Sequence, residues 1–317
     1  MKFALSTIAV GVALACVCHG AAAQSFPTSV TVTQQGNGNT LQAEQDGFGA
    51  LDPTAGGGPR AVIVQIGDNN HVGGPGATTG GIFQRAPGSG GAYIQQNGSG
   101  NNAGITQDGT YTRGGTLEAR ITQLGSTNTA VIRQETVTSS TVTVEQSGAG
   151  NVARVEQLNS ADTSIRAVQN GSNNRLTISQ RGSAYFGPDV TQNGDGNTAS
   201  VISDFSFAGG PTIVQTGTAN SASTVQGGGE FDNAIGIYQL GSGNRAEAKQ
   251  LGGSVTARID QNGNNNLARV DQVGSGNNTL IAQVGNTNTA LVRQAGQGYA
   301  ANVTQTGSGN YTSIYQH

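Results

Sequence analysis

Histidine, cysteine and paired carboxylates carry most hydrolytic and metal chemistry, and this chain holds them in poor company. Beyond residue 23 the histidines are His71 and His317, and neither has a cysteine or a second histidine at ligand spacing. Cys16 and Cys18 both fall in the first 23 residues. The carboxylates are scattered and interrupted by arginine, which suits a solvated face better than an acid–base pair. Segments such as Gly98-Ser99-Gly100-Asn101 look like phosphate-cradling loops, yet they recur along the chain with no following helix pattern and no lysine, so they read as arcs. No catalytic residue, metal site or cofactor is expected. What remains is amide chemistry: glutamine and asparagine, whose side chains both donate and accept hydrogen bonds, recur at fixed intervals.

Composition agrees. Of 317 residues, 34% are hydrophobic, 10% charged and 51 are glycine, with only 7 prolines. Ordinary globular domains hold about 45–50% apolar and about 25% charged residues. Disordered chains are usually rich in charge or proline, so a repetitive, backbone-driven architecture is favoured. Net charge is −3, and no run of like charge or dense aromatic stretch marks a nucleic-acid surface, so nucleic acid is not an expected partner.

Residues 1–23 read as a secretory leader, with basic Lys2, an apolar run from Phe3 to Val17 and cleavage expected after Ala23. Both cysteines leave with it, so no disulfide is expected. Ala13 and Ala15 stand where a lipoprotein signal would place leucine before Cys16 or Cys18. No later stretch is apolar for long enough to span a membrane as a helix.

Residues 24–317 are dominated by one repeat. Gln-x-Gly-x-x-Asn starts at Gln34, Gln65, Gln96, Gln123, Gln146, Gln169, Gln192, Gln215, Gln239, Gln261, Gln283 and Gln305. A second glutamine usually follows eleven residues after the first, as at Gln45, Gln157, Gln272 and Gln316; Ser203 and a displaced Gln84 are the departures. Period-two alternation around each motif predicts strand, arc, strand, arc. In the fifth copy Val142, Val144 and Gln146 share one face, as do Asn151, Ala153, Val155 and Gln157. The same β-branched and alanine columns recur in the other copies. The expected fold is therefore all-β: a β-solenoid of about twelve strand–arc–strand layers whose two parallel sheets face each other across a thin core.

Stacking explains the choice of residues. An amide buried in one layer can bond its counterpart in the next, about 4.8 Å away, and glycine supplies the positive φ of a tight arc. Asparagine is expected to tolerate similar turn conformations. The stacking and self-assembly residues are thus represented by Gln34, Gly36, Asn39 and Gln45; Gln146, Gly148, Asn151 and Gln157; Gln261, Gly263, Asn266 and Gln272; and Gln305, Gly307, Asn310 and Gln316. Gly- and Pro-rich insertions near 47–60, 73–81 and 110–115 lie between strands. In-register stacking would also align Lys249, Asp271 and Arg293 in one outward column, and Glu247 with Arg269 in the next.

The pattern Gln-x-Gly-x-x-Asn-x-Ala-x-x-x-Gln, as in Gln146 to Gln157, resembles the curlin repeat of curli fibre subunits over nearly all of residues 24–317. The resemblance implies a bacterial subunit exported unfolded through an outer-membrane secretion channel, joined by a nucleator subunit, and polymerised at the cell surface into functional amyloid of a biofilm matrix. Major subunits of that family have fewer repeats and a Gly-rich addressing segment, whereas here only Gln24 to Ser29 precede the first strand. The final copy stops one residue after Gln316, which suggests a last layer open to addition and head-to-tail homopolymerisation. The competing reading is a nucleator or surface adhesin of the same fold that does not itself polymerise extensively. An ice-binding solenoid would need an unbroken outward threonine column, and Glu145, Val168, Val214 and Asp260 interrupt it.

Overall fold

The computed structural model describes residues 29–46, 60–73, 80–85, 90–108, 117–228 and 233–317. The leader reading at 1–23 lies outside them, as do most of the three insertions. Every regular element described is a strand. The leading strand of each copy, from Ser29–Gln35 through Thr141–Ala149 to Ala300–Ser308, joins one twelve-stranded sheet in chain order. The following strands, such as Val152–Leu158 and Tyr311–Gln316, form a second sheet of fourteen, because its first two layers are each split into two short strands. All pairing is parallel and joins each strand to its counterpart in the neighbouring copy, so each copy is one rung of a β-solenoid, numbered here 1 (Gln34) to 12 (Gln305).

Register follows the repeat residue for residue. Gln146 lies between Gln123 and Gln169, and Gln157 between Gln134 and Gln180. The core is a single cluster two side chains thick. Val142 and Val144 from one sheet and Ala153 and Val155 from the other have essentially no exposure, while the intervening Thr143, Arg154 and Glu156 point outward. Fully burying each valine is worth roughly 1.5–3 kcal/mol, but only with rungs above and below to cover it.

Three features depart from the expected plan. First, the motif asparagine is not the turn residue. None of the twelve has positive φ; that conformation falls on the residue before it, as at Asn173 (φ 57°) and Thr287 (φ 55°), and on the motif glycine. The asparagine is instead buried for hydrogen bonding, as the next section describes.

Second, the arc after the second glutamine is wide in rungs 4 to 7. There it buries Val137, Ser160, Phe186 and Ser206, and a two-stranded ladder pairs Ala184–Phe186 with Phe207–Gly209. Third, outward charges align as expected but pair mainly along a strand. Arg245 bonds Glu247 and Arg258 bonds Asp260 (2.9 Å), both two residues apart, whereas Glu247 and Arg269 on adjacent rungs stay 3.9 Å apart. Side chains two apart already share a face, and the pair can form without spanning rungs. Arg133 does both, bonding Glu135 and Glu156, and these partners hold its pKa above the ordinary arginine value.

Candidate functional site: the amide ladders

The leading glutamines form a continuous hydrogen-bonded line through the core. Gln34 donates its Nε2 to Gln65 Oε1 (2.6 Å), Gln123 to Gln146 and Gln146 to Gln169 (both 2.8 Å), Gln261 to Gln283 (2.9 Å) and Gln283 to Gln305 (2.8 Å). The second hydrogen of each amide crosses to the other sheet: Gln146 donates to the Thr129 carbonyl and Gln261 to that of Arg245 (both 3.0 Å). One side chain therefore ties rung to rung and sheet to sheet, leaving neither hydrogen unused.

A second line runs through the other sheet. Gln45 donates to Gln84 (2.8 Å), so the displaced glutamine of rung 2 still occupies the ladder. Gln157 donates to Gln180 (3.0 Å), Gln272 to Gln294 and Gln294 to Gln316 (both 2.8 Å). The line breaks at Ser203. Gln180 turns to the Phe186 carbonyl at a long 3.4 Å, Ser203 bonds Ser183, and Gln226 Oε1 is buried without a partner. Ser206 and Thr224 beside this break also hold unbonded buried hydroxyls.

Asparagine forms the third line, with the opposite sense. Asn151 donates both its backbone N–H (3.0 Å) and its Nδ2 (3.1 Å) back to Asn128 Oδ1, and receives the same pair from Asn174. Asn266 and Asn310 repeat this on Asn244 and Asn288. The other Nδ2 hydrogen points forward, from Asn39 to the Gly67 carbonyl (2.7 Å), from Asn151 to Gly171 (2.8 Å) and from Asn266 to Gly285 (2.8 Å).

This forward bond explains why glycine and asparagine occur together. The glycine carbonyl of one rung leans over the glycine of the rung before, so a Cβ on Gly36, Gly148 or Gly263 would overlap the carbonyl of Gly67, Gly171 or Gly285, at φ of 109°, 113° and 128°. The motif is one joint: bare glycine admits the next carbonyl, and asparagine holds it there. Among the described residues a Cβ on Gly307 of rung 12 would meet only the side chain of Asn310.

The twelve amides among the sixteen stacking residues named from sequence are thus gathered into three columns whose interior examples are buried, and the glycines stack in a fourth, where Gly148 and Gly263 are half-buried. Sequence reasoning missed the buried threonines that serve these columns. Thr163 accepts from Gln157 (2.6 Å), and Thr279 lies between Gln272 and Gln294. For Thr279 the signal was a hydroxyl residue in an otherwise aliphatic column; Thr163 stands in a mixed column beside Ser140 and gave none. His71, expected to be solvated, is half-buried with Nδ1 2.7 Å from Thr40 Oγ1, and His317 stacks on Tyr315. No group of three or more metal-binding side chains occurs among the described residues.

The family model for the curlin associated repeat matches residues 138–182 and 263–296, two stretches that cover the amide joints of rungs 5–6 and 10–11. These two stretches of the chain carry curlin associated repeats. No curated protein matches the chain. The matched stretches have the same ladder geometry as the rungs between them, Ser203 apart, and the repeat is a structural unit rather than a catalytic one.

Proposed function

We propose that this protein is a secreted structural subunit that stacks head to tail into extracellular curli-like amyloid fibres for adhesion and biofilm matrix. The observation that carries the reading is the state of the ladders at the two outermost rungs. Among the described residues the strands of rungs 1 and 12 each pair on one side only. Gln305 Nε2, which elsewhere would meet the next glutamine, bonds the Thr289 carbonyl and Thr312 Oγ1, and Gln316 donates only to the Ala300 carbonyl. A second copy would bring Gln34, Asn39 and Gln45 over Gln305, Asn310 and Gln316. Because the glutamine lines donate forward and the asparagine line donates backward, only head-to-tail contact matches donor with acceptor in all three columns. Like tips would oppose donor to donor in some columns and acceptor to acceptor in the others.

Export after cleavage at Ala23, an outer-membrane channel and a nucleator subunit belong to the same reading. The test is seeded growth of residues 24–317 followed by Thioflavin T. Asn310→Ala and Gln316→Ala should slow elongation several-fold while outward Arg154→Ala leaves it unchanged. Equal effects at the three positions, or a chain that folds promptly and stays monodisperse, would overturn it.

A further inference from the structure

The two outer faces of the solenoid differ in charge where it ends. On the outer face of the second sheet, rungs 9 to 11 carry Arg245, Lys249, Arg269 and Arg293 against Glu247 and Asp271, a local excess of positive charge in a chain of net charge −3. Among the described residues the opposite face of the same rungs holds only Arg258 and Asp260, which neutralise each other. Register places Lys249, Asp271 and Arg293 in one column and Arg269 beside Glu247 in the next, so three cations surround Asp271 at rung spacings of about 4.8 Å.

These cations are under-used. Among the described residues Lys249 and Arg293 make no ion pair, and Arg269 makes only the 3.9 Å contact with Glu247. Asp271 Oδ1 is enclosed yet accepts no hydrogen bond, so the cations around it are turned outward. Rung 12 extends the face with Tyr311 and Tyr315, 68% and 56% exposed, and the Arg293 guanidinium lies over the Tyr315 ring.

We propose that this face binds an acidic polysaccharide laid along the solenoid axis, with uronate carboxylates on Lys249, Arg269 and Arg293 and a sugar face against Tyr311. The ligand class follows from the arrangement. Exposed cations stepping by about 4.8 Å match a polymer whose charge recurs at each sugar, and a tyrosine presents an apolar ring with a polar tip to a surface that is itself part apolar and part hydroxylated. Single-stranded nucleic acid would instead need several aromatic platforms interleaved with the cations, and here both tyrosines fall on one rung.

The test uses the folded chain, its β-type circular dichroism verified, and does not depend on fibre growth. The probes are polygalacturonate, neutral dextran and oligothymidylate. Polygalacturonate should bind and be released by salt. Lys249→Gln/Arg269→Gln/Arg293→Gln should weaken it about tenfold, and Arg120→Gln/Arg166→Gln/Arg258→Gln on the opposite face, the same change in net charge, less than twofold. Asp271→Asn should tighten it about threefold, a gain that misfolding cannot mimic. Equal binding of dextran, tighter binding of oligothymidylate, equal losses in the two triple variants, or no gain in Asp271→Asn would each overturn the proposal.

Discussion

Replacing Gln169 by glutamate tests whether the amide line supports the fold. The side chain is fully buried; it accepts from Gln146 (2.8 Å) and donates to Gln192 Oε1 (2.8 Å) and the Val152 carbonyl (3.2 Å). An ionised glutamate keeps the accepted bond but turns its second oxygen on two acceptors. Two donations worth about 1 kcal/mol each are lost and a buried charge faces unpaired oxygens, so the cost at pH 7 is at least about 3 kcal/mol. The protonated acid can donate to Gln192 again and forfeits only the Val152 bond, about 1 kcal/mol. Because the folded state favours the proton, the carboxyl pKa rises above its unfolded value of about 4.3, and the difference of about 2 kcal/mol between the ionised and protonated forms corresponds to about 1.5 pH units. The penalty is therefore smallest below about pH 4 and grows as pH rises to about 6. Urea unfolding followed by circular dichroism at pH 3.5 and 7.5 should show Gln169→Glu close to wild type in acid and far below it at neutrality, with exposed Gln35→Glu flat across the range. An equal deficit at both pH values, or none, would refute the reasoning.

Two further changes probe the joint and the break. Gly148→Ala should cost more than about 3 kcal/mol, since its Cβ overlaps the Gly171 carbonyl that Asn151 holds, whereas Gly196→Ala, with open space at φ 65°, should cost about 1 kcal/mol; urea midpoints distinguish them. Ser203→Gln should stabilise the chain by about 1–2 kcal/mol in thermal melts by accepting from Gln180 and donating to the stranded Gln226 Oε1, and no gain would mean that the Phe186 ring already fills that space.

The fold was legible because period and chemistry agree in every copy. Val142, Val144 and Gln146 alternate with outward residues, and the recurrence of the same types at the same places sets the register without knowledge of the turns. The roles inside the joint were less legible. Asparagine is common both in left-handed turns and in buried hydrogen bonds, and the sequence does not distinguish Asn265, which has positive φ, from its neighbour Asn266, which is buried. Cross-rung contacts decide it, since only Asn266 meets Asn244 and the Gly285 carbonyl. Charge was legible in part. The repeat aligns Lys249, Asp271 and Arg293, but Arg245, Lys249, Arg269 and Arg293 form no run, and their excess on one face emerges only when the solenoid collects them.

The glycine–carbonyl joint also governs how such a chain can change in length. A residue added within a strand would turn every later side chain of that strand to the wrong face, and one added at the joint would move a carbonyl that the preceding rung has no room to release. Whole copies escape both penalties, since a duplicated unit offers the same three columns above and below. Growth and shortening of the gene should therefore proceed in quanta of one rung, while the wide arcs of rungs 4 to 7 and the outward faces absorb the finer variation.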